Sequence, residues 1–171
     1  MQITFTKGQR EDWIAVTRDD GSRAETRFPH KGPVPHDAVH LFVEAGLGLT
    51  KGFWGLIATG RHPEELAELA KAAGHASAKR AGVPDASIVE LLQAERLVEV
   101  FEADLWSGSQ SGEGALIELG QTACSYSHVP LPVRPDGSVA TIQMAIANFA
   151  HSWGSVPTGD TAEFSWPLSL A

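Results

Sequence analysis

Residues 2–28 of the chain, QITFTKGQREDWIAVTRDDGSRAETRF, contain the pattern that decides the fold. Ile3 and Phe5 alternate with polar residues, and residues 13–16 (WIAV) are rich in side chains that favour strands. Asp20-Gly21 then separates this second run from a third, and Asp-Gly is a frequent turn between paired strands. We therefore predict an antiparallel β-meander in the N-terminal part of the chain.

The apolar periodicity changes to that of a helix after residue 35. Val39, Val43 and Leu47 form one apolar stripe. Pro35 suits the first helical turn, and Gly48 favours the end of the helix. Acidic first turns, a capping-box pattern at Ser87 and further apolar stripes predict helices over 63–74, 87–106, 115–126 and 139–153.

The C-terminal part of the chain returns to strand periodicity. Ala162, Phe164, Trp166 and Leu168 alternate with polar residues, and chain ends often lie close together. We predict an α+β fold, in which the N-terminal antiparallel β-meander is joined by a C-terminal strand, with four to five helices between them. The length of 171 residues predicts a single domain spanning 1–171.

The charge balance excludes some classes of partner. The chain has a formal net charge of −8, which argues against a surface dedicated to nucleic acid or to an anionic membrane. The most apolar short stretch, Gly52 to Ala58, is much shorter than a membrane helix. Cys124 is the single cysteine, and no signal peptide is evident, so we expect a cytoplasmic protein. The sequence does not identify a protein or small-molecule partner, and it does not indicate the oligomeric state.

The segment His36-Asp37-Ala38-Val39-His40 is the sharpest chemical feature of the sequence. Two histidines at i and i+4 share one helix face, so both can reach one divalent cation, with zinc favoured over manganese or iron. The pattern resembles the H-E-x-x-H motif of zinc-dependent metallopeptidases, in which the acid between the histidines activates a metal-bound water. That resemblance implies metal ligation by His36 and His40 and a catalytic role for Asp37, which is one methylene shorter than glutamate.

A metal site of this kind needs a third protein ligand, which the sequence does not identify. Glu44 lies too far along the helix axis from His36 to share an ion, and is better placed to support a ligand. The remaining candidates at plausible range are Glu64, Glu65, His75 and His151.

Two other groups of residues have a possible chemical role. Glu95, Glu99 and Glu102 form a strip on one helix face, which is more often solvated but would suit iron or manganese beside the histidines. Cys124 and His128 are also four residues apart, although a buried cysteine and a helix end before Val129-Pro130 are the simpler interpretation.

Three hypotheses for function follow from these patterns. The first is a small domain that binds a divalent metal through the HDxxH helix. The second is a metal-dependent hydrolase that resembles the zinc metallopeptidases in this motif and uses Asp37 to activate water. The third is a non-catalytic module that binds a partner or ligand, in which His36 and His40 only pack or hydrogen bond.

Overall fold

The computed structural model describes residues 1–30, 32–73 and 82–170. It confirms the α+β fold, with an antiparallel sheet and six α-helices among the residues it describes. The strands are β1 (Gln2–Thr6), β2 (Glu11–Thr17), β3 (Arg23–Pro29) and β4 (Thr161–Ser165). The helices are α1 (His36–Leu47), α2 (Phe53–Ala58), α3 (Pro63–Ala72), α4 (Val89–Trp106), α5 (Glu113–Tyr126) and α6 (Ser138–Ser155).

The four strands form one sheet in the order β3-β2-β1-β4, and each neighbouring pair is antiparallel. Ile3 pairs with Val16 on one side and with Phe164 on the other, so the C-terminal strand joins the N-terminal meander as predicted. Alternate side chains of β1 and β2 are buried, which is the period-two pattern of a sheet covered by helices on one face.

Aromatic side chains join the sheet to the helices. Phe5 of β1 contacts Trp54 of α2 edge to face, with ring centroids 6.0 Å apart. Phe164 of β4 packs on Phe42 of α1 and on Phe149 of α6 at 5.7 and 5.6 Å. Edge-to-face pairs of this kind stabilise a core beyond the apolar area that they bury. Helices α1, α2 and α6 therefore pack on the sheet, and α1 also packs along α4.

The helices differ from the prediction in two details. Helix α2 (Phe53–Ala58) was not predicted, because six residues are too few to show a helical period. The capping box predicted at Ser87 is wrong, because Ser87 lies in a 3-10 turn and its N–H donates to Asp85 Oδ1 at 2.8 Å. Gly74, the predicted end of the third helix, lies outside the described residues. Within the described ranges, no helix combines the length and the apolar character needed to span a membrane.

Candidate metal centre

Helix α1 places three ionisable side chains inside the protein. Its N-terminal turn follows Pro35, and most of its residues are buried because it packs on the sheet and on helices α4 and α6. The buried residues include Asp37, His40 and Glu44, of which His40 is 1% exposed and Glu44 is 0% exposed. Buried ionisable groups are costly unless they are paired or bind a cation, so this helix requires partners for them.

His36, His40 and Glu95 bring one donor atom each to a common point. The Nε2 atoms of His36 and His40 lie 3.7 and 3.6 Å from Oε2 of Glu95, which projects from α4. All three donor atoms lie within 4.8 Å of one another. Neighbouring ligands of a tetrahedral zinc ion are about 3.3 Å apart when its bonds are about 2.0–2.1 Å. The two contacts to Glu95 are a few tenths of an ångström longer than this spacing, and the two histidine nitrogens lie within 4.8 Å of each other.

Both imidazoles are held from behind by a second carboxylate. Nδ1 of His36 is 3.0 Å from Oε1 of Glu102, and Nδ1 of His40 is 3.1 Å from Oε1 of Glu44. When a neutral imidazole donates its Nδ1–H to a carboxylate, its Nε2 lone pair points to the opposite side. Here that side is the one shared with Glu95, so both rings present a ligand atom to the same point.

Glu44 connects His40 to helix α2. Its carboxylate accepts hydrogen bonds from the backbone N–H groups of Phe53 at 2.9 Å and Trp54 at 3.0 Å, which are otherwise unpaired donors at a helix start. A Cβ atom on Gly52 would lie 2.5 Å from Cδ of Glu44, so glycine is required for this close approach. Burial raises the pKa of the Glu44 carboxyl, and the hydrogen bond from His40 acts in the opposite direction.

The carboxylates reverse the effect of burial on the histidines. Burial alone would lower the pKa of His36, but hydrogen bonds to Glu102 and Glu95 raise it to about 9. Burial acts in the same direction on His40, and the charge of Glu95 with the hydrogen bond to Glu44 raises its pKa to about 10. Burial would raise the pKa of the Glu95 carboxyl, but the two imidazoles hold it well below its usual range. The cluster therefore attracts positive charge.

Asp37 lies beside the three donor atoms without joining them. Its carboxyl is buried, and Oδ2 has no hydrogen-bond partner among the described residues. Trp54 fixes the backbone at this position, because its Nε1–H donates to the carbonyl oxygen of Asp37 at 2.8 Å. Burial raises the pKa of the Asp37 carboxyl to about 6, against the opposing charges of His36 and His40. An unpartnered buried oxygen is an expensive feature that calls for an explanation.

A cavity of about 580 Å³ adjoins the cluster, which is within the usual size range of a small-molecule site. His36, His40, Glu95 and Asp37 contribute to its lining. Apolar side chains make up much of the rest, among them Phe28, Val34, Pro35, Phe53, Pro63 and Trp106. A ligand in this cavity would therefore contact both the donor atoms and an apolar wall.

The structure distinguishes the sequence candidates for a third ligand. Glu95 groups with the histidine pair, whereas Glu65 is exposed and forms an ion pair with Arg61 at 2.6 Å. Glu64 is exposed at the cavity, and His151 is exposed on α6. His75 lies outside the described residues.

The solvated-face interpretation of the α4 strip is wrong for two of its three carboxylates. The Glu95 and Glu102 side chains are 11% and 13% exposed, and both face His36, whereas Glu99 is 45% exposed. The i to i+7 spacing of Glu95 and Glu102 was the available signal, but only the packing of α4 on α1 shows which neighbour they face.

Cys124 and His128 lie in different environments, because Cys124 is buried and His128 is exposed. Cys124 is fully buried on α5, and burial raises the pKa of its thiol to about 11. His128 follows the end of that helix with a φ of 55°, in the left-handed region. The simpler interpretation, a packed cysteine before a helix end, agrees with this placement.

Comparison of the chain with protein-family models, curated proteins and solved structures found no match. A function for this protein is therefore inferred from the geometry of the residues in the candidate metal centre.

Proposed function

We propose that this protein binds a divalent transition metal through Nε2 of His36, Nε2 of His40 and Oε2 of Glu95. The observation that supports it most is the pairing of both Nδ1 atoms with carboxylates, at 3.0 Å to Glu102 and 3.1 Å to Glu44. Carboxylates in this position fix the tautomer and the ring orientation of histidine ligands. Two histidines and one glutamate form the protein ligand set of several catalytic zinc sites, and two histidines with a carboxylate also suit iron.

The charges around the site favour a cation. With both imidazoles neutral, the carboxylates of Glu44, Glu95 and Glu102 would leave three negative charges around the donor atoms. Such a buried excess is costly unless positive charge balances it. Protons on the histidines provide that balance in the metal-free protein, and a divalent ion would replace them.

We propose further that the site catalyses a metal-dependent hydrolysis in the adjoining cavity. A bound zinc ion would polarise a carbonyl group and make water a better nucleophile. Three protein ligands would leave a coordination position open toward a substrate. Asp37 is the candidate general base, because its buried Oδ2 has no partner in the described chain and the residue contributes to the lining of the same cavity.

The test of metal binding is elemental analysis of protein purified without an affinity tag. We expect near-stoichiometric zinc, manganese or iron in the wild type, and loss of that metal in His36→Gln/His40→Gln and in Glu95→Gln. Glu118→Gln, an exposed substitution on α5, is the matched control and should keep the metal. Zinc should also raise the Tm of the wild type and leave that of the double variant unchanged. Metal-free wild type whose Tm does not respond to zinc would refute the proposed site.

The test of hydrolysis separates Asp37 from the ligands. Asp37→Asn should retain the metal while lowering kcat/KM on p-nitrophenyl esters or fluorogenic peptides by about 10²–10⁴-fold, the usual contribution of a general base. An Asp37→Asn enzyme with wild-type kcat/KM would refute this role. If neither metal nor hydrolysis is found, the remaining hypothesis is a non-catalytic module that binds a partner or ligand, in which the histidines have the structural role of pairing with Glu44, Glu95 and Glu102.

A further inference from the structure

A second polar group faces the same cavity from the sheet. Asp12 of β2 and His30, which follows the end of β3, both line the cavity that adjoins the candidate metal centre. Nε2 of His30 is 2.7 Å from Oδ1 of Asp12, and the His30 side chain is 36% exposed. Asp12 is 4% exposed, so a buried carboxylate holds a partly open imidazole.

The hydrogen bonds of Asp12 determine which nitrogen of His30 is available. Oδ1 of Asp12 accepts from the backbone N–H of Gly8 at 3.0 Å and from Nε2–H of His30. A carboxylate only accepts, so this contact favours the tautomer of His30 with the proton on Nε2. Nδ1 is then the ring nitrogen left for another group, and no described residue hydrogen bonds to it.

Apolar side chains form much of the cavity wall beside these two polar regions. Phe28 precedes His30 at the sheet side, and Phe53 lies against His40 with ring centroids 5.2 Å apart. A small molecule that fills the cavity therefore meets the metal centre, an apolar wall and the His30 imidazole. Sites of this composition use a few convergent polar groups to fix the orientation of a largely apolar ligand.

We propose that His30 is a substrate-binding residue whose Nδ1 hydrogen bonds a polar group of the substrate away from the metal. Asp12 is its positioning residue. The substrate class is a small neutral molecule with an apolar body, a metal-binding oxygen and a second polar group. A neutral molecule is favoured because the carboxylates of Glu95 and Glu102 at the cavity disfavour an anion, and a bound divalent ion disfavours a cation. This inference rests on the proposed metal site.

The first arm of the test needs neither a metal nor a ligand. Long-range ¹H–¹⁵N spectra of the labelled protein distinguish the two tautomers of neutral His30. We expect the Nε2–H tautomer in the wild type and a mixture in Asp12→Asn, with circular dichroism and Tm showing that this variant folds. A wild-type His30 protonated on Nδ1 alone would overturn the proposal, whatever the fate of the metal site.

The second arm measures binding to the zinc-loaded protein with benzohydroxamic acid and its 2-, 3- and 4-hydroxy isomers as probes. The hydroxamate binds zinc, and the ring hydroxyl samples different directions in the cavity. We expect one isomer to bind about 3- to 10-fold tighter than the parent, which is the value of one neutral hydrogen bond. His30→Gln should remove that advantage, measured as the ratio of isomer to parent affinity in the same variant, whereas His151→Gln, an exposed control, should keep it.

The outcomes separate this inference from the metal proposal. Parent binding with no gain for any isomer, or a gain that survives in His30→Gln, would overturn the role of His30 while the metal site stands. Wild-type protein that holds no zinc and binds no hydroxamate would overturn the metal site, and the proposed role of His30 with it.

Discussion

The substitution Glu44→Gln gives the sharpest test of how the candidate centre is built. Glu44 is 0% exposed and receives three hydrogen bonds, from the N–H groups of Phe53 and Trp54 and from Nδ1 of His40. The two backbone donors contact different carboxylate oxygens, Oε1 and Oε2. Glutamine retains the size and shape of the side chain but has only one oxygen, so one backbone N–H must face an amide nitrogen.

The cost follows from counting these contacts. A hydrogen bond to a charged group contributes about 1.5–3 kcal/mol, and a buried donor left without a partner costs about 1–3 kcal/mol. Glu44→Gln should therefore lower the free energy of unfolding by about 2.5–6 kcal/mol, the sum of these two contributions. Domains of this size have a total stability of about 5–15 kcal/mol, so the effect is a large share of it.

The assay is urea unfolding of the metal-free protein in a chelator, followed by circular dichroism. Glu118→Gln is the control, because an exposed substitution should change the free energy of unfolding by less than about 0.5 kcal/mol. A loss below about 1 kcal/mol for Glu44→Gln would refute the three-bond account. In the same variant, zinc affinity should fall about 10- to 100-fold, the usual effect of removing a carboxylate behind a histidine ligand.

Two further predictions concern residues outside the donor atoms. Gly52→Ala should destabilise the protein by about 1–3 kcal/mol, because its Cβ would lie 2.6 Å from Oε2 of the Glu44 carboxylate. Gly114→Ala has open space around its Cβ, so it should stabilise helix α5 by about 0.5–1 kcal/mol. A pair of urea titrations checks both, and equal effects would contradict the close-approach argument. Burial raises the pKa of the Cys124 thiol to about 11, so the thiolate is scarce at pH 8 and native protein should react with a disulfide reagent far more slowly than protein in urea. Equal rates in the two conditions would show that Cys124 is accessible.

The sheet and the long helices were predictable because their signals are local. Ile3 and Phe5 alternate in the sequence, and both are fully buried in the sheet. The stripe of Val39 and Val43 also predicted the buried face of α1. In each case the apolar periodicity extends over a few neighbouring residues, so it can be read from the sequence without knowing the tertiary contacts.

Helix α2 was not predictable for the opposite reason. Its six residues have no capping side chain of their own, and its first N–H groups donate to Glu44 of another helix. The third donor atom of the candidate centre is similar. Glu95 is 59 positions from His36 and faces it only because α4 packs on α1, so sequence spacing could not select it over Glu64 or Glu65. The metal-binding role of His36 and His40 stays a prediction.

The position of β1 within the sheet has a consequence for synthesis of the chain. Thr6 of β1 pairs with Thr161 of β4, about 155 residues later. At the usual rate of translation, about 5–20 residues per second, β4 is synthesised about 8–30 s after β1, and until then one edge of β1 has no partner strand. During that interval Ile3 and Phe5 belong to an incomplete sheet, whose open edge can pair with another nascent chain. We therefore expect this protein to depend on chaperones during translation more than a helical bundle of equal length would.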